Sequence, residues 1–195
     1  DRSPPGQGTS YGNAGVLAAC SVTPVTAPGL IGKAPRMLMN PDFPLFLRWS
    51  YLPRLAPWLM RYLSHANDGD TRRIARGLSA IVADSVEQHH ALADGTPAEA
   101  LVRDSDYCFA YADRAAFEAD SYTWQIREEA GFRPVIRESA QLREYEPSLG
   151  RDIGCLVSVS DHGFVRDPGG YVARLAEVFE GMGGTVTIAA PHEDG

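Results

Sequence analysis

Histidines, thiols and glycine turns are the residues of this chain whose spacing could carry chemistry. His89 and His90 stand together near the end of an apolar-periodic segment, with Glu87 three residues before His90. A metal centre needs three or four converging ligands, and no second His or Cys cluster supplies them. The pair therefore reads as solvated side chains near a helix end, and no metal is expected. His65, His162 and His192 each stand alone in expected loops. No Gly-x-Ser-x-Gly turn presents a serine nucleophile, which removes that route to hydrolysis. Cys20, Cys108 and Cys155 are odd in number and far apart, so they read as three small buried hydrophobes in a reduced interior. Gly6-Gln7-Gly8 opens like a dinucleotide fingerprint and fails it, because the sixth position is Tyr11 and no strand precedes it. In dinucleotide-binding folds an acid about 20 residues after the glycine turn takes the ribose hydroxyls. Asp1, met at once by a Gly/Pro/Ser loop, has that setting if the fingerprint lies upstream. Otherwise it is an exposed terminal carboxylate.

The elements that would position these residues follow from composition and periodicity. The chain has 195 residues, 44% hydrophobic and 22% charged, with three Trp, eight Tyr and seven Phe, which excludes disorder. A net charge of −7 and a pI of 5.2 argue against a nucleic-acid partner, which needs a basic face. Asp1 stands where an initiator Met would, straight before the turn cluster Arg2-Ser3-Pro4-Pro5-Gly6, so a start partway into a larger protein is expected. Residues 1–15 read as loop, 16–27 as a β-branched stretch, and Ala27-Pro28 as a helix start running to Met39. Residues 43–63 are the most apolar part, yet Arg48, Arg54, Arg61, Pro53 and Pro57 exclude a membrane span. Leu52, Leu55, Leu59 and Leu63 form one stripe there, for packing on its own domain or for lying on a membrane surface.

Asp70 caps an expected helix to Ala93, whose buried face is Ile74, Leu78, Ile81, Val82 and Val86. Thr96-Pro97-Ala98-Glu99 is a capping box that starts a short helix. Tyr107, Phe109 and Tyr111 share one face of a strand over 107–111. A helix from Asp113 to Ala130, a strand at 135–136 and a helix from Ser139 to Tyr145 follow. A strand over 156–159 and the turn Asp161-His162-Gly163 come next. Asp167-Pro168 starts a helix whose apolar face is Tyr171, Val172, Leu175, Val178, Phe179 and Met182. Gly183-Gly184 and a strand at 185–188 then complete half of a parallel α/β layer.

Asp1-Arg2, the glycine loop and Thr9-Ser10-Tyr11-Gly12-Asn13-Ala14-Gly15 resemble the second FAD-contacting segment of the D-amino-acid-oxidase superfamily, nearest its bacterial dehydrogenase branch. Ala27-Pro28-Gly29, Glu146-Pro147, Asp161-x-Gly163-x-Val165-x-Asp167-Pro168 and the closing helix with Gly183-Gly184 occur in the family's order, so the resemblance covers essentially the whole chain.

The resemblance implies an α/β (α+β overall) fold: part of a Rossmann-type FAD-binding domain, a helical insertion, and the start of an antiparallel-sheet substrate domain. The implied boundaries are 1–27 and 163–195 for the FAD domain, 28–105 for the insertion and 106–162 for the substrate domain. It implies FAD held by Asp1, Arg2, Ser10, Tyr11, Asn13, Ala14 and Gly15. Tyr107, Phe109 and Tyr111 either line the substrate pocket or belong to the core. The implied reaction passes a hydride from the α-carbon of a D-amino acid to flavin N5, gives a 2-oxo acid and ammonia, and sends the electrons to a quinone. Glycine, sarcosine or hydroxyproline are alternative substrates, and a flavin-free interaction domain is the alternative of another class. The Arg that anchors the substrate carboxylate is expected beyond Gly195. The protein is expected in the cytoplasm, or peripheral on the inner face of the cytoplasmic membrane through 43–63. With the pyrophosphate turn expected upstream of Asp1, this stretch alone is expected to bind FAD poorly.

Overall fold

A computed structural model describes residues 2–29, 32 and 49–189. Helix and strand are mixed around an open antiparallel sheet. The sheet is organised by its longest strand, β4 (Cys155–Val165). β2 (Val102–Tyr111) pairs along one edge of β4. β3 (Val135–Glu138) and the two-residue β1 (Val16–Leu17) pair with the other edge, one after the other. Cys155 to Val159 are all buried, so this run is enclosed on both faces, and all but Ser158 are apolar. Every strand pair among the described residues is antiparallel.

The segment read as strand 156–159 followed by a turn is one eleven-residue strand. The Asp161-His162-Gly163 signature is absorbed as a bulge: Ser105 stands opposite His162 and Tyr107 opposite Val159, so Ser160 and Asp161 face Asp106 alone. Asp161 takes φ 62°, the left-handed conformation that short polar side chains tolerate. The bulge turns His162 inward, where it is buried rather than in a loop. Its Nε2 accepts the backbone N–H of Cys20 at 2.9 Å, which assigns the proton to Nδ1, and Nδ1 donates to the Ser160 carbonyl at 2.8 Å.

Helices pack on both ends of this sheet. The helix expected from Asp70 to Ala93 is two, α2 (Asp68–Val82) and α3 (Ser85–Ala93). Asn67, not Asp70, is the cap: its side chain accepts the N–H of Asp70 at 2.9 Å. The buried face runs through Thr71 and Ala75 and leaves Ile81 74% exposed. The second segment turns toward the sheet because His90 Nε2 bonds Asp104 at 2.8 Å and His89 Nδ1 meets the Tyr171 hydroxyl at 3.0 Å. The capping box at Thr96 yields only a 3-10 turn, Glu99–Leu101, because Val102 already enters β2. The helix expected over 113–130 breaks at Asp120 into α4 (Arg114–Ala119) and α5 (Ser121–Glu129). Asp120 is held there by the Tyr111 hydroxyl, which donates to its carboxylate at 2.9 Å.

α6 (Ser139–Tyr145) lies where expected. α7 (Pro168–Gly181) does too, with Asp167 accepting the N–H of Gly170 at 2.9 Å. One expectation, the strand at 185–188, fails for want of a partner strand. Residues 184–189 are neither helix nor strand, and of the stretch 16–27 only β1 pairs. The described residues place no strand beside 185–188, and a β-branched run alone does not make one. The helix read from Ala27 to Met39 lies largely outside the described residues.

Replacing His162 with Leu strands the Cys20 N–H in the interior. Urea unfolding should show a loss of about 2–4 kcal/mol. His162→Gln, which can still accept and donate, should lose clearly less. Equal losses in the two variants would refute the hydrogen-bonding role.

Candidate functional site

The exposed loop 2–15 is built by successive tight turns. Gln7 N–H donates to the Pro4 carbonyl at 3.1 Å, Tyr11 N–H to Gly8 at 3.1 Å and Asn13 N–H to Ser10 at 3.3 Å. Asn13 then closes the loop, its side-chain oxygen accepting the N–H of Gly15 at 2.7 Å. The Gly15 carbonyl in turn accepts the N–H of Val165 at 2.7 Å and hands the chain to β1.

Two glycines pin this loop. Gly15 (φ 71°) is buried with the Val165 carbonyl where a Cβ would stand, and Gly6 (φ 83°) meets the Gly169 carbonyl in the same way. Only glycine combines such φ values with such close backbone contact. Between the pins, Gly8 and Gly12 have nothing within 4 Å of a Cβ position. Tyr11 is 71% exposed, and its ring edge lies 3.7 Å from the Cβ position of Gly169 in the first turn of α7.

Of the residues expected to touch the cofactor, Arg2, Tyr11, Asn13 and Ala14 are exposed, Ser10 is half-buried and Gly15 is enclosed. Asp1 lies outside the described residues. The exposed surface of residues 2–15 carries Arg2, Gln7, Tyr11 and Asn13 among glycine and alanine, and no carboxylate. Among the described residues no group of three or more His, Cys, Asp or Glu could hold a metal ion. Within the His89–His90 pair, His89 is half-buried, and burial, then the neighbouring His90, lowers its pKa. Cys20 and Cys155 are buried, but Cys108 is exposed, because 108 falls on the opposite face of β2 from the core aromatics.

Tyr107, Phe109 and Tyr111 do share a face, and that face is core. They pack against Cys20, Phe117, Trp124, Cys155, Val157 and Val159. Phe109 meets Trp124 edge-on at 5.0 Å, and the Tyr111 hydroxyl accepts the Trp124 indole N–H at 2.9 Å. Burial pushes the Tyr111 phenol up. The loop is anchored at Val165 and the aromatics lie opposite Cys155 to Val159, so along the strand roughly 20 Å separates the loop from Tyr107 and roughly 33 Å from Tyr111.

Sequence reasoning missed Arg127. It is 8% exposed, its guanidinium lies 4.3 Å from the Phe109 ring centre and 4.8 Å from that of Trp124, and Nε and Nη1 have no hydrogen-bond partner among the described residues. The aromatic faces take the place of an anion. An Arg one turn from a helix end carries no signal that it folds inward.

Aligned with known proteins, the chain is 36% identical over 171 residues to a D-amino-acid oxidase of Bradyrhizobium diazoefficiens, covering 87% of this chain and 40% of that protein. It is 34% identical over 165 residues to D-amino acid dehydrogenase 2 of Ralstonia nicotianae, covering 80% and 37%. The chain belongs to the D-amino-acid-oxidase superfamily. A D-amino acid dehydrogenase of Helicobacter pylori is 23% identical over 177 residues, 90% of this chain and 42% of that superfamily member. The chain thus spans about two fifths of the length of the curated superfamily relatives it matches. No protein-family model and no solved structure matches it.

The glycine pins make a prediction about this superfamily segment. Gly15→Ala forces a methyl into the Val165 carbonyl at positive φ and should cost about 2–4 kcal/mol in denaturant unfolding. Gly8→Ala enters open space and should stay within about 0.5 kcal/mol of the parent. Equal stability of the two variants would remove the pinning argument.

Proposed function

We propose that this chain is part of an FAD-dependent oxidoreductase that converts a D-amino acid and water to a 2-oxo acid and ammonia. The single observation that carries the reading is the alignment of four fifths or more of the chain with proteins named D-amino-acid oxidase and D-amino acid dehydrogenase. FAD, when bound, supplies the hydride acceptor for the α-carbon.

The loop supports this assignment. Gly8 and Gly12 leave backbone open to a flat ring, while Gly6 and Gly15 hold that backbone to α7 and β4. In this reading Arg2, Ser10, Tyr11, Asn13 and Ala14 offer their backbone or side chains to the cofactor, Gly15 fixes their placement, and Asp1 takes the ribose. Residues 1–27 and 163–195 then belong to a Rossmann-type FAD domain, 28–105 to a helical insertion and 106–162 to the start of the substrate domain. The three helices between 52 and 93, α1 (Leu52–Ser64), α2 and α3, lie within the proposed insertion, whereas the limits after 105 and 162 fall inside β2 and β4, which share one sheet with β1. Tyr107, Phe109 and Tyr111 would shape the substrate domain from its core.

The electron acceptor is proposed to be a quinone, in the cytoplasm or at the inner face of its membrane. Oxygen is the second reading, favoured by the relative named an oxidase.

The test uses the full-length protein. Under anaerobic conditions D-alanine should bleach the yellow flavin absorbance and L-alanine should not. Absence of bound flavin, or equal response to the two enantiomers, would overturn the reading. Re-oxidation by a soluble quinone without peroxide supports the quinone, and peroxide release supports oxygen. Gly8→Ala, neutral for stability, should weaken FAD retention about tenfold if a ring lies over the loop.

A further inference from the structure

Closing a tight turn needs a side chain with one acceptor, and Asp, Ser or Asn serves. Asn13 supplies more than that, because a carboxamide carries two N–H donors beside its oxygen. Its surroundings fix which way the carboxamide lies. The Gly15 backbone N–H donates to it at 2.7 Å, so the atom facing Gly15 is Oδ1 and the Nδ2 donors point away from that bond. Among the described residues Nδ2 has no hydrogen-bond partner, and Asn13 is exposed.

These donors are held still. The Asn13 N–H bonds the Ser10 carbonyl at 3.3 Å, its Oδ1 is tied to Gly15, and the Gly15 carbonyl accepts the Val165 N–H of β4 at 2.7 Å. The side chain is thus braced, through Gly15, against the central strand of the sheet. An ordinary exposed amide loses freedom when it binds a ligand, and a braced one has already lost it. The neighbours leave room around it: Gly12 has nothing within 4 Å of a Cβ position, and Ala14 is exposed with only a methyl. Residues 2–15 carry side-chain donors at Arg2, Gln7, Tyr11 and Asn13 and no carboxylate, so the complementary ligand is rich in acceptors. A flavin ring, with its carbonyl oxygens and ring nitrogens, has that chemistry.

We propose that Asn13 uses one carboxamide twice: Oδ1 sets the loop, and Nδ2 donates a hydrogen bond to an acceptor on the flavin ring. This rests on the flavin reading above and names a contact atom within it. A donor at the ring favours the reduced form, which has taken up electrons. Asn13 therefore raises both the affinity for FAD and the reduction potential of the bound flavin.

The experiment uses the full-length protein with Asn13→Asp and Asn13→Ser. Both keep an oxygen for the Gly15 N–H and remove the amide donors, and the Ser variant does so without adding charge. The thermal midpoint of the apoprotein should stay at the parent value in both, the sign that the turn is intact. FAD titrated into apoprotein and followed by flavin fluorescence should bind about tenfold more weakly, as for one lost hydrogen bond. The midpoint potential of the bound flavin should fall in both variants, further in Asn13→Asp. Parent-like affinity and potential in both variants would overturn the inference and leave the flavin reading standing. Weaker binding at an unchanged potential would overturn it as well, because the donor then serves the phosphates or ribose. A defect confined to Asn13→Asp would reduce the effect to charge, and weaker binding that tracks a lowered apoprotein midpoint would assign Asn13 to the fold alone; either outcome refutes it. A parent protein that binds no flavin overturns both readings.

Discussion

The backbone N–H of Cys20 finds its acceptor in the ring of His162, and much of the structure is arranged around making that contact possible. A buried N–H left unpaired is costly, and the segment after β1 has no strand ladder to supply a carbonyl. The central strand supplies a ring nitrogen instead, delivered inward by a bulge at Ser160–Asp161. The same bulge interrupts the pairing with β2 between the aromatic end of the sheet and the end that meets β1 and α7. One local irregularity therefore closes the core over Cys20 and marks the boundary between two clusters of the sheet.

At the far end of β4 the packing is made by absence of side chains. Gly6 and Gly15 let loop backbone touch the carbonyls of Gly169 and Val165, and Gly170 leaves room for the Asp167 carboxylate that caps α7. The result is a rigidly tethered loop whose outer surface remains open. Such a surface fits the cofactor role proposed for it, because backbone that is pinned beforehand loses little freedom when a ligand arrives. The aromatic end of the sheet is organised on the opposite principle. Phe109, Phe117 and Trp124 fill space with edge-on contacts, and Arg127 is held over the faces of Phe109 and Trp124.

Periodicity and caps made much of the fold legible. Asp167-Pro168 marks the start of α7, Gly131 ends the run of helix after Asp113, and the 107–109–111 alternation places those aromatics on one face. The errors have a common form. Helices read as continuous are broken at Ala83–Asp84 and at Asp120, where side chains are bonded to another element: His90 to Asp104, His89 to Tyr171, Tyr111 to Asp120. A turn signature at Asp161-His162-Gly163 became a bulge because β2 continues alongside it. Residues 185–188, β-branched and preceded by Gly183-Gly184, stayed unpaired because a strand exists only with its neighbour.

What the sequence by itself determined is therefore the local grammar and the kinship. Alternation, caps, the Ser-x-x-Asn-Ala-Gly loop and the order of motifs follow from residues a few positions apart, and these carried the family resemblance that the alignments bear out. Tertiary structure alone decided that His162 faces the interior, that Arg127 lies over the faces of Phe109 and Trp124, and that Gly6 and Gly15 must be glycine. Each of these depends on what stands across from a residue more than a hundred positions away or on another element, and a linear pattern holds no record of that distance.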